Sequence, residues 1–101
     1  MDRRLKLHNI LTDILGTDKV YFQPPENYKI QYPCIVYRIK KLDSDFANDK
    51  PYSHQRQYQV TIIDKNPDSD LPDKLSELPK CYYETFFTTD NLNHYIFNIY
   101  F

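Results

Sequence analysis

The chain has 101 residues, a formal net charge of -1 and a sequence pI of about 6.3, so no general positive charge is available to hold a nucleic-acid backbone. Its single glycine excludes glycine-rich phosphate loops and the dinucleotide-binding fingerprint. Aromatic residues make up 16% of the chain, with ten Tyr and six Phe but no Trp. This composition is typical of sheets and interfaces, where tyrosine hydroxyl groups reach water or a partner. We expect one domain over residues 1–101.

The N-terminal segment MDRRLKLHNILTDILG predicts an amphipathic helix over about residues 2–15, because its apolar residues recur at three- and four-residue steps. Their spacing differs from the continuous apolar run of a signal peptide or membrane span, so we expect a cytosolic protein. Gly16 is placed to end the helix in a left-handed conformation. The apolar positions of this predicted stripe are Leu5, Leu7, Ile10, Leu11, Ile14 and Leu15.

Three strands are predicted next. KVYF at 19–22 is a short strand, and the prolines of QPPENYKIQYP at 23–33 indicate an extended connection. The run 34–40 is apolar enough to predict a strand covered on both sides. The run 56–63 alternates, with Arg56, Tyr58, Val60 and Ile62 on one face, which predicts a strand with one wet side.

A second helix and two more strands complete the chain. Asp68, Ser69 or Asp70 can cap a helix carrying Leu71, Leu75 and Leu78 on one face, and Pro79 ends it. CYYETFFTT at 81–89 and NHYIFNIYF at 93–101 predict two strands around a turn at Asp90-Asn91, with Tyr95, Phe97, Ile99 and Phe101 on one face. The order α-β-β-β-α-β-β predicts an α+β domain, a mostly antiparallel twisted sheet of about five strands with both helices on one face.

The sequence offers no pattern for a catalytic or metal centre. His8, His54 and His94 are too scattered for the short spacing of a zinc site. The acidic residues Asp64, Asp68, Asp70 and Asp73 lack the glycine and glutamate positions of a calcium-binding loop, and they fit a helix start better. Cys34 and Cys81 lie in apolar runs, which predicts buried free thiols rather than nucleophiles or a disulfide. We expect no cofactor and no enzyme activity.

A direct nucleic-acid interface is a weaker alternative. RIKK at 38–41, with Tyr37 and Tyr52, places basic and aromatic groups in one neighbourhood, as in proteins that bind single strands. The aspartates that follow at 43, 45 and 49 offset those charges.

A polar insert at about 42–54 separates the second and third strands, which a two-residue turn could join. So small a chain has little reason to keep it for stability. The insert therefore predicts either a functional loop or a solvated loop without a role.

Three segments of the chain, VYFQPPENYKIQYPCIVY, YQVTIIDKNPDSDLPDKLSELP and DNLNHYIFNIYF, give it a recognisable pattern over residues 20–40 and 56–101. In this pattern the chain resembles the small tail-terminator or tail-completion (head-tail joining) proteins of long-tailed bacteriophages and prophages. The stretch Asp-Lys-Asn-Pro-Asp-Ser before the second helix is the most specific part of the resemblance.

The resemblance implies a virion structural protein that forms a ring, typically a hexamer, which ends the tail tube and joins it to the head. It implies no enzyme activity, metal or cofactor, and it implies self-association and contacts with tail-tube and head-completion proteins. DNA would pass through the ring without specific binding. Within the insert, Phe46 is then a hypothetical anchor to a neighbour, and the hypothetical rim of the channel comprises Asp43, Asp45 and Asp49, with Lys50 and Tyr52 beside them. Alternatives are a head-side connector or stopper and a small phage regulatory or nucleic-acid-binding protein.

Overall fold

The computed structural model describes residues 2–24, 30–42, 56–66 and 68–101. These residues form two helices and five strands in the predicted order α-β-β-β-α-β-β, so the α+β fold class is confirmed. The elements are α1 (Asp2–Leu15), β1 (Val20–Phe22), β2 (Cys34–Leu42), β3 (Arg56–Asp64), α2 (Leu71–Ser76), β4 (Cys81–Thr89) and β5 (Leu92–Tyr100).

The five strands form one sheet in the order β1-β2-β3-β5-β4. The pairs β2–β3, β3–β5 and β4–β5 are antiparallel, whereas β1 runs parallel to β2, so the sheet is mixed although most of its pairs are antiparallel. After β3, the connection through α2 takes the chain past the position of β5 to β4. The chain then turns back, and β5 lies between β3 and β4. This crossover places β4 at one edge of the sheet and the three-residue β1 at the other.

The hydrophobic core lies between the helices and one face of the sheet, which we call the helix face. The register aligns Tyr37, Val60 and Phe97 in one row across three adjacent strands of this face, and all three are buried. From α1, Leu7 and Leu11 join the same core cluster, and from α2, Leu71 and Leu75 join it. Both helices therefore cover the same side of the sheet, as predicted.

The opposite side of the sheet, which we call the open face, has no helix over it among the described residues. Arg38 and Lys40 of β2 are exposed on this face, so the prediction that β2 is covered on both sides is wrong. Of the β2 residues on that side whose burial the structure describes, Cys34 alone is buried. The physical reason is that two short helices can cover one face of five strands but not two, and an antiparallel sheet tolerates one solvated face.

The predicted stripe of α1 is correct in part: Ile10 is only half-buried and lies outside the core cluster, and the start of the stripe is wrong. Leu7 and Leu11 are fully buried, and Ile14 and Leu15 pack against the core, but Leu5 is exposed. Leu5 lies two residues before Leu7, which places it about 200° away around the helix. None of the described helices is both long and apolar enough to cross a membrane.

Left-handed backbone conformations end α1 and form the β4–β5 hairpin. Gly16 has φ of 83°, and its N–H donates to the carbonyl oxygen of Thr12 at 2.8 Å, which closes the helix as predicted. Asp90 and Asn91 have φ of 52° and 63° and form the predicted turn between β4 and β5. Positive φ at both central residues matches the two-residue turns that follow the twist of a hairpin.

Candidate assembly surface

The interaction residues predicted in the insert lie outside the described residues. They are Asp43, Asp45, Phe46, Asp49, Lys50 and Tyr52. The described strands fix where the insert begins and ends, because Leu42 and Arg56 are register partners at the end of the β2–β3 hairpin. The insert predicted at about 42–54 lies outside the described residues apart from Leu42, the last residue of β2.

Four of the five exposed large hydrophobic residues of the described chain lie on the edge strand β4, and the fifth is Leu5 of α1. Tyr82 and Tyr83 are 58% and 59% exposed, and Phe86 and Phe87 are each 44% exposed. We call these four residues the aromatic edge. Tyr83 and Phe86 lie on the helix face, and Tyr82 and Phe87 lie on the open face. Large aromatic side chains are enriched in protein interfaces, and exposed apolar groups on a protein surface often mark an interaction site.

The aromatic edge is exposed because the helices cover no more than the start of β4. On the helix face, Tyr83 continues the row of Val60 and Phe97, which are buried, yet Tyr83 itself is mostly in solvent. The six-residue α2 reaches only the start of β4, where Cys81 is half-buried against the core. On the open face, Tyr82 and Phe87 have no covering layer among the described residues.

Each ring of the aromatic edge packs against a ring of β5. Ring centroids are separated by 6.2 Å for Tyr82 and Tyr100, 5.6 Å for Tyr83 and Phe97, 4.9 Å for Phe86 and Tyr95, and 4.6 Å for the stacked pair Phe87 and His94. These contacts hold the rings from one side and leave the other side for a partner. A partner would therefore meet side chains that lose little further conformational entropy on binding.

The open face carries a polar network next to the aromatic edge. Lys40 Nζ lies 2.9 Å from Glu84 Oε1 and 3.2 Å from Asn98 Oδ1, and Asn98 Nδ2 donates to Glu84 Oε1 at 2.6 Å. Hydrogen bonds from Asn98 and Lys40 lower the pKa of the Glu84 carboxyl group. The network keeps the only charged residue of β4 ionised and paired within the chain.

The structure separates the groups on which the nucleic-acid alternative depended. Tyr37 is fully buried on the helix face, where its hydroxyl group contacts His8 Nδ1 at 2.7 Å and Arg4 Nη1 at 3.3 Å. Arg38 and Lys40 lie on the open face and bond Gln59 and Glu84. A base cannot stack on Tyr37 and contact these cations together, and Tyr52 lies outside the described residues.

The two thiols are free, and burial raises the pKa of both. The pKa of Cys34 rises to about 12, mainly through burial and also through nearby Asp64, and burial raises the pKa of Cys81 to about 11. Both thiols are therefore protonated at neutral pH. Cys34 is fully buried as predicted, but Cys81 is only half-buried, because it lies on the edge strand β4 whereas Cys34 lies on the interior strand β2.

The acidic stretch before α2 is local turn structure. Asp64 Oδ1 accepts from the Asn66 backbone N–H at 3.0 Å, and Asn66 Oδ1 accepts from the N–H of Asp68 at 3.0 Å. Asp70 begins α2 without a side-chain cap bond and pairs with Lys74 at 3.5 Å. Within the described ranges, no three His, Cys, Asp or Glu side chains are grouped in a way that could hold a metal ion.

Comparison of the chain with protein-family models, with curated proteins and with solved structures finds no match. The aromatic edge was missed at the level of sequence, although a signal for it is present. Tyr82-Tyr83 and Phe86-Phe87 are adjacent aromatic pairs in one strand. Since neighbouring side chains of a strand point to opposite faces, one member of each pair has to lie away from the core.

Proposed function

We propose that the chain is a non-enzymatic structural protein of a phage tail or neck. Copies of it associate into a ring, a hexamer by analogy with the family it resembles, that ends the tail tube and joins it to the head. Its partners are further copies of itself, the tail-tube protein and a head-completion protein, and DNA passes the channel without specific binding. The protein assembles in the host cytoplasm and remains in the virion.

The observation that carries the proposal is the aromatic edge. Four large aromatic side chains, between 44% and 59% exposed, lie on one unpaired strand at the edge of the described sheet. Exposure of this kind favours an assembly subunit over a protein that acts alone. The resemblance over residues 20–40 and 56–101, together with the expected α+β fold, supports assembly in a phage tail in particular.

The insert between β2 and β3 has a role in the same proposal. It begins where the two strands end as a paired hairpin, so it can extend from the subunit without disturbing the core. Phe46 is proposed as an anchor to a neighbouring subunit, and Asp43, Asp45 and Asp49 as an anionic wall of the channel. An anionic wall repels phosphates and keeps DNA from adhering during passage.

Negative-stain electron microscopy of the purified chain, with its mass in solution from light scattering, tests the proposal. We expect particles with a central hole and a mass that is a multiple of 12.2 kDa. A monomer that retards labelled DNA in a gel would instead identify a regulatory protein. That result would contradict the proposal, because a ring protein of this kind has to self-associate and does not bind DNA specifically.

A further inference from the structure

We propose that β4 pairs with β4 of a second copy, antiparallel and about a two-fold axis at Phe87. The pairing uses residues 85–89 and continues the five-stranded sheet of one copy into that of the other. This inference rests on the proposal that the chain self-associates, but it does not depend on the ring.

The hydrogen-bonding pattern of the β4–β5 hairpin identifies the backbone groups that face outward. At one end, the Tyr100 N–H donates to the Lys80 carbonyl oxygen at 3.0 Å. At the other end, Thr89 and Leu92 close the two-residue turn and form a hydrogen-bonded pair. Because such pairs alternate along an antiparallel ladder, Thr85, Phe87 and Thr89 bond β5, and Phe86 and Thr88 direct their N–H and C=O groups away from the sheet.

The outward-facing backbone groups of Phe86 and Thr88 can bond those of Thr88 and Phe86 in a second copy. When two β4 strands run antiparallel about Phe87, Phe86 of one copy lies opposite Thr88 of the other, and each such pair exchanges two N–H···O=C bonds. Phe87 then lies opposite Phe87 of the second copy, and Thr85 lies opposite Thr89. Aromatic and β-branched side chains are favourable cross-strand neighbours.

Residues 85–89 lack the features that normally prevent edge strands from pairing. The segment Thr-Phe-Phe-Thr-Thr has no proline and no charged residue, and the bulge between Tyr83 and Thr85 lies before it. The other edge strand, β1, has only three residues. Two uncharged segments meet without burying a charge, whereas a charged strand from another protein would find no opposite charge in this segment.

One contact of this register is unfavourable, and it provides a specific test. The register places Asp90 of one copy beside Glu84 of the other, so two acidic residues face each other twice in the pair. Glu84 is partly neutralised by Lys40. Replacing Asp90 by Asn removes the repulsion, and Asn also tolerates the left-handed conformation that this turn residue adopts.

The paired stretch is short, so the dimer is expected to be reversible. Only Phe86 and Phe87 of the aromatic edge lie within it, and the area they bury is well below the roughly 800 Å² per partner of a standard interface. A two-fold contact also closes on itself. The ring therefore needs a second contact surface on each subunit.

Disulfide trapping of the full-length chain tests the register. Phe87→Cys is expected to form a covalent dimer under mild oxidation with diamide, because directly opposed residues of a non-hydrogen-bonded pair lie about 4.5 Å apart at Cα. Thr85→Cys and Thr89→Cys are the matched controls. Each alone should crosslink at least tenfold less, whereas an equal mixture of the two should crosslink efficiently. Wild-type protein under the same oxidation measures the background from the native thiols.

Equal crosslinking of Phe87→Cys and Thr85→Cys would overturn the inference. Asp90→Asn should lower the dissociation constant of the dimer several-fold, as measured by sedimentation. A dissociation constant that is unchanged or raised would also overturn the inference. The inference and the proposed function fail separately. Ring particles without Phe87→Cys crosslinks would contradict the two-fold pairing and support the ring. Crosslinked dimers that never form rings would support the pairing and contradict the ring.

Discussion

At the scale of single residues, a cluster of polar side chains beside the core makes the stability of the folded chain sensitive to pH. The Tyr37 hydroxyl group accepts a hydrogen bond from Arg4 and shares a second hydrogen bond with His8 Nδ1 at 2.7 Å. Burial, and secondly the positive charge of Arg4, lower the pKa of His8. Sequence reasoning placed Tyr37 in a strand but could not find this cluster, because its three residues come from α1 and β2 and meet only in the folded chain.

The chain is expected to lose stability as the pH falls through 6.5, the ordinary pKa of histidine. The folded state binds a proton at His8 less readily than the unfolded state, so protonation favours unfolding below that pH. Urea unfolding at pH 7.5 and pH 5.5 measures the loss. His8→Asn, which keeps a neutral hydrogen-bonding group, should show a smaller loss. An equal loss in both would exclude His8 as the cause.

Thiol reactivity should differ between the two cysteines. With pKa values raised to about 12 for Cys34 and about 11 for Cys81, both are expected to react slowly with a thiol reagent at pH 8. Cys81 should react faster, because it is half-buried whereas Cys34 is fully buried. Mass spectrometry of labelled native protein, against protein unfolded in urea, measures the rates. Rapid labelling of both in native protein would contradict the burial described here.

At the scale of elements, patterns of apolar residues identified every helix and strand of the described chain, but not how the strands are arranged. Alternation in 56–63 correctly placed Tyr58, Val60 and Ile62 in the core. Neither the parallel pairing of β1 and β2 nor the position of β5 between β3 and β4 follows from such patterns, because both depend on contacts between distant segments. The exposure of the aromatic edge follows from that arrangement, which is why sequence reasoning missed it.

The two helices are expected to supply much of the stability through their buried leucines. Leu11→Ala and Leu75→Ala should each cost about 2–4 kcal/mol of unfolding free energy, since both side chains are 0% exposed. Leu5→Ala is the matched control in α1; Leu5 is 48% exposed, and its loss should cost less than about 0.5 kcal/mol. Urea denaturation compares the three. Costs below about 0.5 kcal/mol at Leu11 and Leu75 would mean that the core is assigned incorrectly.

The insert is expected to matter for assembly and not for folding. Replacing residues 43–53 by Asn-Gly should change the unfolding free energy by less than about 1 kcal/mol, because Leu42 and Arg56 already pair at the hairpin end. If Phe46 anchors a neighbour, this variant and Phe46→Ala should not form rings. Exchanging Asp43, Asp45 and Asp49 for Asn should preserve rings and slow DNA passage. Rings that form normally without the insert would leave it with no role in assembly.

At the scale of the whole molecule, the helices lie over one face of the sheet. α2 contacts β4, whose first residue Cys81 packs against the core, and the other residues of β4 are exposed. The subunit is thus well packed along α1, β2 and β3 and exposes aromatic side chains along one edge. A chain of this size can complete its core without β4 being covered, since the buried cluster draws its strand residues from the other four strands. We propose that this edge serves assembly.

Sedimentation velocity of wild-type protein and of Phe86→Ser/Phe87→Ser tests that claim most directly. Wild-type protein should sediment as species heavier than 12.2 kDa at high micromolar concentration, and so should Leu5→Ser, which removes an equally exposed apolar side chain from α1. The double variant should stay folded, with the wild-type circular dichroism spectrum, and should associate far less than wild type. A wild-type chain that is monomeric at every concentration, or a folded double variant that associates like wild type, would contradict the account.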